Sequence, residues 1–371
     1  MSTPRGFLDA LRARYRRLPY PRFAVLLSAV LLLLLLTLLA SSFPLLRRAR
    51  LRPTPRARLA MSSPNAHGSS PMQSLMGVKV DDARFADRVV GGPIFGAGAE
   101  PGRIVVVTYG ENCCVKSKAL LCGTAVERGA DACRAFSEGD LEAGFVERVS
   151  RVLAVPQGAG LWVWKPYVVL EILKRVREGD YVVYSDAGAS FIGGVRGLLD
   201  AFEIDEVAKA VDAVVWSVGL KNRRFCRRDA FVLMGVDDPS CHDAMQVNAF
   251  FIVVKKSNRS VEMVEEWLRY SENIRVIGNG KPPYRAELEK SFKARGIPFT
   301  RENFSQMAAE WYPKSEHEEL DGFQKHRHDQ SVLTNVLCRR GLYPRNYIEN
   351  PDKNEKGKIL DDIVVHHRIK A

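Results

Sequence analysis

From about residue 102 onward the sequence predicts an α/β fold, with a Rossmann-type mixed, mainly parallel sheet flanked by helices. Two patterns predict it. Short apolar runs with the look of buried strands recur along the chain, and helical stretches alternate with them. A third observation places a site on that sheet. The run "YVVYSD" ends on Asp186, which is followed by the small residues Ala187, Gly188, Ala189 and Ser190. Ligands of open α/β sheets bind beyond the carboxyl ends of the strands, and small residues let a bulky ligand approach the backbone.

The chain before this region reads differently. Residues 1–22 form a basic tail. Phe23 to Leu46 contain no charged residue, which is long enough to span a bilayer and longer than the apolar part of a secretory signal. Six arginines precede this span and six follow it, so charge asymmetry does not orient it. Residues 47–101 are rich in Pro, Ser, Gly and Ala and read as a flexible stem. An arginine-rich organellar targeting segment is the alternative reading of the first residues.

Charge narrows the function. Of the net +12, residues 1–60 carry +11, so the rest of the chain is nearly neutral. A nucleic-acid partner therefore loses its electrostatic basis, and none is expected. The seven cysteines show no metal-ligand spacing, and their pairing cannot be assigned from sequence. Asn258 and Asn303 head N-x-S tripeptides, acceptors for glycosylation if the carboxyl part is lumenal.

Taken in order, "RIVVVTYG" predicts a strand that ends at Thr108, Tyr109 and Gly110. "DLEAGFVERVSRVL" predicts a helix. "WKPYVVLEILKRVREG" predicts another, with Pro166 near its first position and Gly179 at its stop. "YVVYSD", "AVVWSVG" and "MQVNAFFIVVKK" follow as strands, then "SVEMVEEWLRYSE" as a helix. In "FQKHRHDQSVLTNVL", Val332, Leu333, Val336 and Leu337 recur at helical spacing. His326, Arg327, His328, Asp329 and Gln330 crowd the amino end of that helix. One aspartate would suffice as a cap, so the density favours a site. The tail "DDIVVHHRIK" is a β-like run ending in His366 and His367, residues whose imidazoles suit a divalent transition metal.

The order of "VTYG", "WxWKP", "YxDAG", "QVNAFF", "HRHDQS" and "HHR" resembles a nucleotide-sugar-dependent glycosyltransferase of the GT-A fold. It is similar to a branch with WKP, DAG and HDQ signatures, and more distantly to the retaining glycogenin-like transferases. The likeness covers about Gly102 to Arg368. It implies a Golgi or other secretory-pathway membrane protein with a cytosolic tail, one anchor helix, a stem and a lumenal catalytic domain, residues 102–371. The reaction it implies is sugar transfer from a nucleotide sugar, a UDP-sugar with retention, to a hydroxyl of a glycan, protein or lipid.

The resemblance also implies roles. Thr108 and Tyr109 would contact the base, Lys165 and Arg327 would bind the donor, and Gln246 and Asn248 would line the sugar and acceptor pocket. Asp329 and Gln330 would stand beside the transferred sugar as the catalytic pair. Asp186 matches the first acid of an Asp-x-Asp motif that holds a divalent cation, manganese, on the donor's diphosphate. Gly188 replaces the second acid, so further ligands would have to come from His366 or His367. The missing acid also supports an alternative, a catalytically inactive module that binds nucleotide sugars. The basic run Lys221, Arg223, Arg224, Arg227 and Arg228 reads either as a partner for a diphosphate or as a solvated loop.

Overall fold

The computed structural model describes residues 94, 102–111, 114–343 and 354–366, all within one compact unit spanning Pro71–Ala371. The proposed tail, the Phe23–Leu46 span and most of the stem lie outside the described residues, as does His367. Among the described residues no helix is long and apolar enough to cross a membrane.

Five strands form the central sheet in the order β2-β1-β3-β6-β5. They are β1 (Ile104–Tyr109), β2 (Ala132–Phe136), β3 (Tyr181–Ser185), β5 (Ala213–Lys221) and β6 (Met245–Lys255). β1 pairs in parallel with β2 and β3, whereas β6 runs antiparallel to both β3 and β5. The sheet is thus mixed and mainly parallel, as expected. Because β6 is reversed, its first residues share an edge with the last residues of β1, β3 and β5. A second sheet pairs β4 (Ala189–Phe191) with β7 (Val364–His366).

Alternation of side chains along each strand feeds two cores. Val105, Val107, Val182 and Tyr184 face a large cluster that includes helices α2 (Trp164–Leu173), α3 (Asn258–Ser271) and α4 (His328–Arg339). Ile104, Val106 and Val183 face a smaller one with Leu121 of helix α1 (Val115–Glu127) and Ile363, the last residue of helix α5 (Asn354–Ile363). Helices therefore cover both sheet faces. This explains why these strands are apolar throughout instead of alternating with polar residues.

Several local expectations are corrected. The "DLEAGFVERVSRVL" segment is two short helices, Ala143–Arg148 and Ser150–Leu153. Helix α2 begins two residues before Pro166 and ends at Leu173, ahead of Gly179. Pro166 still falls in the first turn, where its missing N–H costs nothing. Cys122 and Cys133 form a disulfide that ties α1 to β2.

Candidate active site

Asp186 directly follows β3 and has the same parity as Tyr184, so both point toward the face covered by α2. There the side chain of Lys165 turns inward. Lys165 is 3% exposed, and its ammonium lies 3.3 Å from Asp186 Oδ1, 3.0 Å from Asp329 Oδ2 and 2.9 Å from the Ala249 carbonyl oxygen. The faces of Tyr184 and Trp164 complete its surroundings at 5.2 and 5.9 Å. One lysine thus joins two acids that are 143 positions apart in the chain.

Electrostatics follow from this packing. Burial pulls the Lys165 pKa down, but Asp186 and Asp329 more than offset it, so the ammonium is held above its usual range. Asp329 is pushed up to about 6, because burial outweighs the attraction of Lys165. Its carboxyl is therefore largely ionised at neutral pH. Tyr184 Oη donates to Asp186 Oδ1 at 2.6 Å, and burial drives the phenol's pKa well up, keeping it a donor. Asp186 Oδ1 is engaged inward, and the side chain as a whole is 31% exposed.

A loop with unusual backbone sets up Lys165. All residues from Gly158 to Trp162 have positive φ, including Ala159, Leu161 and Trp162. The Gly158 carbonyl accepts from the Trp164 indole at 3.0 Å, and Trp164 stacks on Tyr109 with centroids 3.9 Å apart. Left-handed conformations at non-glycine residues are costly and persist where the surroundings enforce them. Here the packed indole does so.

The reversed strand supplies the remaining groups. Buried Gln246 donates to Ser331 Oγ at 2.9 Å and to Asn222 Oδ1 at 3.2 Å, and it accepts from Gln330 Nε2 at 2.7 Å. Asn248 caps the Phe250 N–H at 3.0 Å. The Asp329 carbonyl oxygen accepts from the Trp267 indole at 3.0 Å, which locks the start of α4 onto α3. Asp186, Asp329, Gln330, Gln246 and Asn248 are thereby gathered at one end of the sheet.

Other expected residues sit differently. Thr108 and Tyr109 are buried, and Tyr109 presents its ring to Trp164. The next residues are also engaged: Gly110 is buried with its N–H donating to the Phe136 carbonyl at 3.0 Å, and half-buried Glu111 accepts from the Glu138 N–H. His326 accepts from the Arg227 N–H, and His328 Nδ1 contacts the Ile277 carbonyl at 2.8 Å. Burial depresses both imidazoles, that of His328 to about 4, so they are neutral packing groups. The crowding ahead of α4 is therefore partly structural. Asn258 and Asn303 are exposed, while the Ser260 hydroxyl of the first tripeptide is buried in the α3 cap.

Tyr184, Asn222 and Ser331 escaped sequence reading. Tyr184 and Ser331 had a signal, as the first residue of YxDAG and the last of HRHDQS; Asn222 had none.

A divalent cation would find one partly exposed carboxylate at Asp186 and one imidazole at His366. The His366 main chain pairs with Ala189, and its ring meets Phe250, whose carbonyl accepts from the Asp186 N–H. Among the described residues no three potential ligands cluster. Two protein groups suit an ion that takes its other ligands from a substrate's phosphates, and not a protein-held centre.

No protein-family model matches the chain, and no curated protein sequence matches it. Among solved structures it is similar to mouse xyloside xylosyltransferase 1 in its apo form, with a TM-score of 0.29 and 8% identity, covering 69% of this chain and 84% of that one. It is also similar to the apo bifunctional glycosyltransferase WbbM, with a TM-score of 0.30 and 10% identity over 72% of this chain and 53% of that one. A transferase mutant scores 0.22 at 11% identity, over 58% and 77%. Likenesses this distant carry no conclusion about this chain.

Proposed function

We propose that the chain is a glycosyltransferase using a nucleotide-sugar donor. The observation that carries this reading is the Asp186–Lys165–Asp329 cluster at the carboxyl edge of the sheet. The strand order 2-1-3 reverses direction between β1 and β3, and such switch points open a crevice for a nucleotide. Asp186 directly follows β3, one of the two strands at that switch point.

In the reaction the bond between the sugar's anomeric carbon and the diphosphate breaks. A bond from that carbon to an acceptor hydroxyl oxygen forms, and the hydroxyl proton passes to the departing diphosphate. Positive charge builds on the sugar meanwhile. A carboxylate and an amide oxygen, from Asp329 and Gln330, would stabilise it. Lys165 holds Asp329 ionised and aimed, a fixed charge in a water-poor setting where it acts most strongly. A UDP-sugar with retention, a Golgi membrane location through Phe23–Leu46, and glycosylation at Asn258 and Asn303 belong to the same proposal. A bound manganese ion on Asp186 would supply charge neutralisation to the leaving group.

The test is donor hydrolysis by the purified chain across UDP-, GDP- and CMP-sugars, with manganese or with chelator, repeated with Asp329→Ala and Asp186→Asn. Turnover that both variants retain in full would remove this site. Nucleotide binding without any turnover would favour the inactive binding module that Gly188 suggests.

A further inference from the structure

The basic run after β5 divides into two groups. Arg227 is buried and bound to Asp229 at 2.7 Å, and Arg228 pairs with Asp237 at 3.2 Å. Lys221 and Arg223 share the single carboxylate of Asp243 at 3.4 and 3.0 Å. Arg224, one turn on, is exposed, and its guanidinium lies 5.9 Å from the centroid of the Phe225 ring. Half-buried Arg327 lies on the same ring at 4.8 Å.

Among the described residues neither Arg224 nor Arg327 has a carboxylate partner. For Arg327, burial alone lowers the pKa, with no acid close enough to restore it. Lys221 and Arg223 thus share one acid, whereas the Arg224 and Arg327 guanidiniums both lie against one aromatic ring. A guanidinium held over a ring keeps its outer N–H fork free for a planar or tetrahedral anion.

Position decides which anion. Phe225 follows β5, at the far side of β6 from Asp186. The Phe225 carbonyl accepts from Ser331 Oγ at 2.7 Å, and Ser331 accepts from Gln246 in the site. The arginine pair therefore lies two strands over from β3 and beyond the end of β5, on the side away from β1. With the nucleotide over β1 and β3 and the sugar at Asp329 and Gln330, what reaches this corner is the acceptor.

We propose that Arg224 and Arg327, on the Phe225 platform, form the subsite for an anionic group on the acceptor. This reassigns Arg327 from the donor side, and it rests on the glycosyltransferase reading for the word acceptor. The chemistry required is a carboxylate or a phosphate attached to a saccharide.

The full chain in detergent is titrated with a hyaluronan tetrasaccharide (carboxylate), with mannose 6-phosphate (phosphate), with neutral cellotetraose and mannose, and with UDP. An anionic saccharide is expected to bind at least tenfold tighter than its neutral counterpart, and the tighter of the two identifies the group. Arg224→Gln with Arg327→Gln should abolish this preference, with UDP affinity within twofold and an unchanged melting curve. Arg327→Lys alone should lose most of it, since an ammonium cannot make the forked contact. Equal binding of charged and neutral saccharides, a preference that survives the double substitution, or a parallel loss of UDP binding would each overturn the proposal. Failure of the transferase reading shows separately, as wild-type chain that neither binds UDP nor hydrolyses any donor.

Discussion

Lys165→Met keeps most of the side chain's length and removes its charge from between two carboxylates. Asp329, with 6% of its side chain exposed, would then be left without a counter-ion. Removing one partner of a buried pair costs about 3–5 kcal/mol. The cost depends on pH in a definite direction. Asp329 already titrates near 6 with the lysine present, and without it the carboxyl shifts higher. The folded variant then holds a proton that the unfolded chain has released, so stability rises as pH falls. Where the variant's carboxyl stays protonated across the whole window, each pH unit returns about 1.4 kcal/mol, or roughly 2.7 kcal/mol between pH 8 and pH 6. The wild-type carboxyl contributes only about 0.4 kcal/mol over that window, because it reaches half-protonation only at its lower end. Urea denaturation of both proteins at pH 8 and pH 6 measures the difference. A deficit of about 4 kcal/mol at pH 8 should shrink to about 1–2 at pH 6. Adding Asp329→Asn to Lys165→Met should recover stability at pH 8. A deficit below about 1 kcal/mol, the range of an exposed pair, or one equal at both pH values would refute this account.

Further outcomes follow from the same geometry. Donor turnover should fall as pH drops through about 6, where the Asp329 carboxylate gains its proton, and a flat profile from pH 5 to 8 would exclude it as the charged group. Over the range from about 4 to 6 the wild-type fold should gain stability as pH rises, since buried His326 and His328 stay neutral while the unfolded chain's imidazoles bind protons, and these two outweigh the opposite contribution of Asp329. Tyr184→Phe removes the 2.6 Å hydrogen bond to Asp186 and should cost about 1.5–3 kcal/mol of stability, read as an earlier denaturation midpoint, with a fall in donor turnover as Asp186 loses its fixed orientation. Reducing Cys122–Cys133, which closes a loop with a sequence separation of 11, should cost about 3 kcal/mol, read as an earlier denaturation midpoint.

Much of the frame was legible because local chemistry dictates it. Val105–Val107 and Val182–Val183 are β-branched runs buried on both faces, and few arrangements other than a covered sheet accept them. Asp186 was legible for the same reason: an acid closing such a run stands at the sheet's edge, where water or a ligand can meet it. The helical spacing of Val332, Leu333, Val336 and Leu337 placed Asp329 in the first turn of α4. Even the basic run after β5 was visible, though not its division into paired and unpaired arginines.

What tertiary structure alone decided are matters of direction and partnership. An apolar run reads the same whether its strand is parallel or antiparallel, so the reversal of β6, which brings Gln246 and Asn248 to the site edge, has no local signature. A lysine's long side chain can reach water or turn inward, and only the space between Tyr184, Trp164 and Ala249 settles that Lys165 turns inward to join Asp186 and Asp329. Cysteine pairing and the meeting of Arg224 with Arg327 on Phe225 depend on distances between remote segments. Sequence determines those distances only through the whole packed chain, because each contact's entropy cost is met by all the others together.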